Sequence, residues 1–239
     1  MMRPMRPMRN AAHLLGPLVL ALLGGCFSLG RETTPLEQYV IGGARPADTM
    51  GPIAALDGVS VGVRRLDLAD YLASPAIVVR RGAQEVLTSD FHRWGEGPAD
   101  GIARAFGRYL AGAASFRTVD VAPWPVRTRH DYLVQLHMTR FEGVVPPEST
   151  LSSDAAAGPV EGAAHVRASW EIIREQDGAV LARGATDYWE EGWRAGDYVA
   201  LVALLDAGLA VLARDVAVAL EGLVAGAPVD ERPGGDARV

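Results

Sequence analysis

The stretch Tyr132-Leu133-Val134-Gln135-Leu136-His137-Met138-Thr139-Arg140-Phe141 decides how this chain folds. Successive side chains of a strand point to opposite faces, so Tyr132, Val134, Leu136 and Met138 share one side and Gln135, His137 and Thr139 the other. That alternation predicts a long strand with one buried face. Val166, Ala168, Trp170 and Ile172 repeat the pattern against Arg167, Ser169 and Glu171. Asp177-Gly178 then marks a tight turn, because both residues tolerate positive φ. It leads into Val180-Leu181-Ala182-Arg183, a return strand reaching towards Trp189. Sheet therefore dominates the second half of the chain.

Further strands lie upstream. Gln38 to Ile41 is ended by Gly42-Gly43, and Val59, Val61 and Val63 alternate with Ser60, Gly62 and Arg64 as a half-buried strand. Ile77-Val78-Val79-Arg80 turns through Arg81-Gly82-Ala83-Gln84 into Glu85-Val86-Leu87-Thr88, a second hairpin. Arg117 to Val121 is closed by Pro123-Trp124-Pro125. Pro98-Ala99-Asp100 opens a helix whose Ile102, Ala105, Phe106, Tyr109, Leu110 and Ala113 share one face. Pro146 to Gly162 reads as a loop of small residues and proline.

A second helix starts at Tyr198, capped by Asp197. Apolar residues recur at 202, 205, 209, 212, 216, 219 and 223, the heptad-like spacing of a long amphipathic helix. Asp206, Arg214 and Asp215 sit near its middle, where each would cost several kcal/mol inside a bilayer. The helix is expected to pack on the sheet and keep spare apolar surface for a partner. The order of strands, helix, strands, helix predicts an α+β fold. Its sheet is mainly antiparallel or mixed, with two helices on one face and the C-terminal one long.

The N-terminus has a different character. Arg3, Arg6 and Arg9 precede an apolar run, Ala11 to Leu23, which ends on Gly24-Gly25-Cys26. A positive start, a short apolar core and a small-residue site are the parts of a secretory signal peptide. About 13 apolar-run residues fall short of the roughly 20 that span a bilayer core. Leu23-Gly24-Gly25-Cys26 resembles the bacterial lipobox, which implies that Cys26 becomes an N-acylated, S-diacylglycerol-bearing mature terminus. The expected organisation is 1–25 signal peptide, 26–37 lipidated terminus and spacer, 38–224 one domain, and 225–239 disordered tail.

All 23 basic residues are Arg, against 29 acidic ones. Removing residues 1–25 takes away three Arg and no acid, so 20 basic residues face 29 acidic ones and the mature charge is −9. An acidic chain without a basic cluster is a poor partner for nucleic acid. Cys26 is the only cysteine, so no disulfide can form within the chain.

Catalytic signatures are lacking. Besides His13, the histidines are His92, His130, His137 and His165, and no pair has the i, i+4 spacing of a helical zinc site. His137 and His165 lie on the polar faces of their strands. One serine, Ser60, sits in a G-x-S-x-G frame, but that frame lies within the alternating valine strand and not on a strand-to-helix turn. Gly95-Glu96-Gly97-Pro98-Ala99-Asp100-Gly101 brushes against a dinucleotide fingerprint, but its last glycine is one position late and its acids would face a pyrophosphate. Glu190-Glu191 reads as the end of an edge strand. No catalytic, cofactor or metal site is expected. Arg93, Trp94, Trp189 and Trp193 are the candidate partner contacts, since Trp and Arg are enriched at binding hot spots; burial of Trp94 under the first helix is the alternative.

Several short motifs recur in a fixed order: Tyr39-Val40-Ile41 after the lipobox, Val59-x-Val61-x-Val63 before Leu68-Ala69-Asp70-Tyr71-Leu72, and Ile77-Val78-Val79-Arg80. Arg93-Trp94-Gly95-Glu96 then precedes Ile102-Ala103-Arg104, followed by Pro123-Trp124, Tyr132 to Leu136, Phe141-Glu142-Gly143 and Ala168-x-Trp170-Glu171-Ile172. Together they resemble the ABC-type transport auxiliary lipoproteins of the PqiC-like (YmbA-like) group. The resemblance implies a non-enzymatic component of an MCE-type lipid transport system, with a periplasmic MCE protein and an ABC permease and ATPase as partners. It also implies lipid anchoring at the outer membrane, since Phe27 rather than Asp follows Cys26. Self-association through the long helix is compatible with it. A structural or assembly lipoprotein without a transport role is the alternative.

Overall fold

The computed structural model describes residues 35–43, 56–149 and 160–226. The expected signal peptide, Cys26, most of the expected spacer, part of the 146–162 loop and the tail beyond Gly226 lie outside the described residues. Nine strands form one mixed sheet: β1 (Glu37–Tyr39), β2 (Ser60–Val63), β3 (Asp67–Leu68), β4 (Ala76–Arg81), β5 (Glu85–Trp94), β6 (Thr118–Val121), β7 (Tyr132–Val145), β8 (Glu161–Arg174) and β9 (Val180–Arg194). Among the described residues two α-helices, α1 (Pro98–Ala113) and α2 (Tyr198–Gly226), complete the α+β architecture.

β7 organises the sheet. One of its edges pairs antiparallel with β8, from Tyr132 opposite Arg174 to Val144 opposite Ala163. Its other edge is shared in succession by three parallel strands, β2 at Tyr132–Val134, β3 at His137–Met138 and β4 at Gly143–Val145. Both expected hairpins form, β4–β5 and β8–β9, the latter across Gly178 at φ +72°. The parallel pairings between them have no local signal in the sequence.

Two details differ from the pattern. β2 is buried at all four positions, not at alternate ones. The segment carrying His130 lies over its second side, close enough that a Cβ on Gly62 would meet Nδ1 at 2.8 Å. In β7, the register shifts between Met138 and Arg140. That bulge adds one residue, so Phe141 and Val145 continue the buried face begun by Val134, Leu136 and Met138.

α1 buries Ile102, Ala105, Phe106, Tyr109 and Leu110 as its periodicity predicts. α2 buries a wider face than the heptad stripe. Leu205, Leu209, Leu212 and Val216 are in the core, joined by Leu201, Gly208, Ala213, Ala217 and Leu220, while Val202, Ala219 and Leu223 flank it half-buried. The width follows from two neighbours, the sheet and α1. At Gly208 a Cβ would lie 2.6 Å from Val166 Cγ2 and 2.7 Å from Tyr188 Cδ1, so a larger residue there would push α2 off the sheet. Asp206 is 3% exposed and accepts the Gly42 N–H at 2.7 Å. Burial first, then the Asp206 carboxylate, raises the Tyr109 phenol above its ordinary range. Asp215 accepts the Thr186 hydroxyl at 2.6 Å. Among the described residues no helix is long and apolar enough to cross a membrane.

Asp197 caps α2: its Oδ1 accepts the Ala200 N–H at 2.9 Å. Asp197→Ala is expected to lower stability by about 1 kcal/mol. Urea unfolding should show a lower midpoint at unchanged slope.

Candidate interaction surface

The helices cover one face of the sheet. On the other, alternate residues of β7, β8 and β9 build a polar array. Asp67 Oδ2 lies 2.9 Å from His137 Nδ1 and Asp187 Oδ1 lies 2.7 Å from His165 Nε2. Arg183 Nε pairs with Glu171 Oε1 at 2.7 Å, which holds the Glu171 carboxyl below its usual value. His137 and His165 stand opposite Ser169 and Glu142, so each has its own aspartate and the two do not meet. Among the described residues no three His, Cys, Asp or Glu side chains are placed to hold a metal ion.

Beneath this array is a closed cluster that sequence reasoning missed. Glu142, fully buried, takes Arg80 Nε on Oε1 at 2.6 Å and Nη2 on Oε2 at 3.2 Å. Arg140 Nη1 adds a contact at 3.5 Å. The Tyr71 ring lies 5.3 Å from the Arg80 guanidinium, and its hydroxyl donates to the Thr139 carbonyl at 2.9 Å. The hydrogen bonds to Glu142 raise the Arg80 pKa above its already high ordinary value, and burial raises that of Tyr71. Glu142 sits just past the β7 bulge, where strict alternation counted from Tyr132 would turn it towards the core. No periodic signal marks it as the outer-face acid.

The four candidate contacts separate. Trp94 is 5% exposed and packs on Phe141 with ring centroids 5.8 Å apart. Trp193 is 1% exposed. Both are core residues of this fold and offer no free surface. Arg93 and Trp189 are exposed. The separation of the two β9 tryptophans has a local cause. Trp189 stands opposite His165 on the outer face, their rings edge to face at 5.2 Å. Glu191 stands opposite Ala163, but Trp193 stands opposite Gly162, so Gly192 is an extra residue, at φ +91°. That bulge turns Trp193 to the helix side.

Beside Trp189 the surface opens into a groove of about 620 Å³, lined by Val144, Val145, Pro146, Pro147, Ala163 and Trp189, with Glu161 and Glu191 also in its wall. β9 runs along it. Among the described residues this 15-residue strand pairs only with β8. Among these residues its outer edge has no backbone partner, the arrangement that strand-addition partners use. An apolar groove with an acidic border and an open strand edge can hold an extended, apolar or cationic polypeptide. It holds no nucleophile paired with a base.

No curated protein matches the sequence. Among solved structures, a Xanthomonas campestris protein is similar with a TM-score of 0.58 at 17% identity, over 81% of this chain and 98% of that one. A second, uncharacterized protein has a TM-score of 0.55 at 15% identity, over 78% and 99%. These likenesses concern the fold. The family model for the ABC-type transport auxiliary lipoprotein component matches residues 39–217, which span β7, the hairpin, the groove and most of α2. The chain thus belongs to the ABC-type transport auxiliary lipoprotein family.

Proposed function

We propose that this protein is a non-enzymatic auxiliary subunit of an MCE-type lipid transport system, held at the outer membrane by acyl chains on Cys26. Its domain docks a periplasmic MCE protein whose inner-membrane partners are an ABC permease and ATPase. The supporting observation is the open β9 edge with the exposed Trp189 beside the apolar groove. Backbone pairing along such an edge supplies affinity, and a neighbouring aromatic anchor supplies specificity.

Copurification from the native host tests this. Tagged full-length protein is expected to capture an MCE protein, and Trp189→Ala to weaken that capture by about 30-fold, the effect of losing a hot-spot contact of ~2 kcal/mol. A folded wild-type protein that captures no MCE protein would overturn the transport reading in favour of a structural envelope lipoprotein. Cys26→Ala is expected to move the protein from the membrane to the soluble fraction.

A further inference from the structure

The chain enters its domain at an apolar rim. In β1, Glu37 stands opposite His92, Gln38 opposite Arg93 and Tyr39 opposite Trp94, in parallel register. Glu37 and Tyr39 share the helix side with His92 and Trp94. Leu36 and Val40 therefore point to the other side, together with Phe91 and Arg93. Leu36 is 52% exposed, Val40 62% and Phe91 45%. Across the strand, Val199 at the start of α2 is 69% exposed, next to Tyr198, which stacks on His92 at 3.9 Å. β1 pairs only with β5, so nothing among the described residues covers this rim.

We infer that the β1 rim lies on the bilayer that holds the anchor, with Leu36, Val40 and Phe91 entering its interfacial zone. The inference rests on the acylation of Cys26 proposed above. Leu36 lies ten chain steps after Cys26, so the rim is never more than about 35 Å from the lipid, at ~3.5 Å per extended residue. No other part of the domain is held as close by the chain itself. The mature charge of −9 leaves no electrostatic pull towards an anionic surface, so the contact is apolar and needs no acidic lipid. Docking the rim would orient the sheet on its membrane and fix which way the β9 edge faces.

Acylated full-length protein has no free thiol, because Cys26 is its only cysteine and its sulfur carries the diacylglycerol. A fluorophore can then be placed on Phe91→Cys, on Val40→Cys, and on Gln176→Cys in the β8–β9 turn. Each labelled protein is reconstituted into phosphatidylcholine vesicles containing a nitroxide headgroup lipid. Quenching at positions 91 and 40 is expected to exceed that at 176 by about twofold or more, unchanged by salt. Equal quenching at all three positions, in protein that floats with the vesicles, would overturn the rim contact and leave the anchor intact. Protein that does not float and keeps a free Cys26 thiol would overturn the anchor, and the inference with it. A label at position 91 that responds to protein concentration and not to vesicles would assign the rim to a second copy, which also overturns it.

Discussion

Glu142→Ala is expected to destabilise the domain by about 3–5 kcal/mol, much of the margin that a domain of this size possesses. The wild-type pair is bidentate, with Glu142 wholly buried and the Arg80 side chain 10% exposed. Without the carboxylate the guanidinium keeps the Ala83 carbonyl at 3.4 Å and the face of Tyr71. Neither neutralises it, and a guanidinium keeps its proton inside a protein. Most of the cost is thus the buried, unpaired cation rather than the lost attraction. Replacing both partners by apolar residues, Arg80→Met with Glu142→Leu, should recover most of the loss, because a buried ion pair contributes little beyond an apolar pair of similar volume. Urea unfolding of the two single variants and the double variant checks this. A Glu142→Ala cost below about 1 kcal/mol, the level of a surface pair, would show that water reaches the cluster. Arg81 with Glu85 is the internal comparison: it is a short, exposed i, i+4 pair one residue from Arg80, and its removal should change little.

The same cluster shows where sequence reading stops. Periodicity found the strands because Val134, Leu136, Met138, Val166, Ala168 and Ile172 bury one face of two long antiparallel neighbours. It found α1 and the start of α2 because a stripe and a capping aspartate are local features. It was blind to the parallel pairing of β2, β3 and β4 along β7, since parallel pairing joins segments that no turn connects. Carried past either bulge, strict alternation gives the wrong face. Past Thr139 the rule of two puts Glu142 inside; past Gly192 it keeps Trp193 beside Trp189. One inserted residue inverts every later side chain, and no residue type marks such an insertion unambiguously. Residue type alone singled out Arg93 and Trp189 together with the buried Trp94 and Trp193, so it did not separate surface from core. The open edge and groove beside Trp189 come from tertiary pairing.

Trp193→Ala supplies the sharpest test of that inversion, with an expected loss of about 3–5 kcal/mol. The indole is 1% exposed and lies flat where two strands have no side chain: a Cβ on Gly143 would come within 2.6 Å of Cζ3, and one on Gly162 within 2.9 Å of Cε3. Its Nε1–H donates to the Asp197 carbonyl at 2.9 Å, at the point where β9 turns into α2. Truncation would leave a cavity against Leu201 and remove the indole from a carbonyl that keeps only its helical bond from the Leu201 N–H at 3.1 Å, so both the packing and the entry angle of α2 suffer. The glycines cannot close the gap, having nothing to extend into it. Trp189→Ala, four residues away, removes an indole that is 49% exposed. It should change stability by no more than about 0.5 kcal/mol, as surface substitutions do. Urea unfolding of the pair reads out the Gly192 bulge directly. With the bulge, the two costs differ by several-fold and only Trp189 matters for partner capture; without it, both indoles share one face and their costs converge.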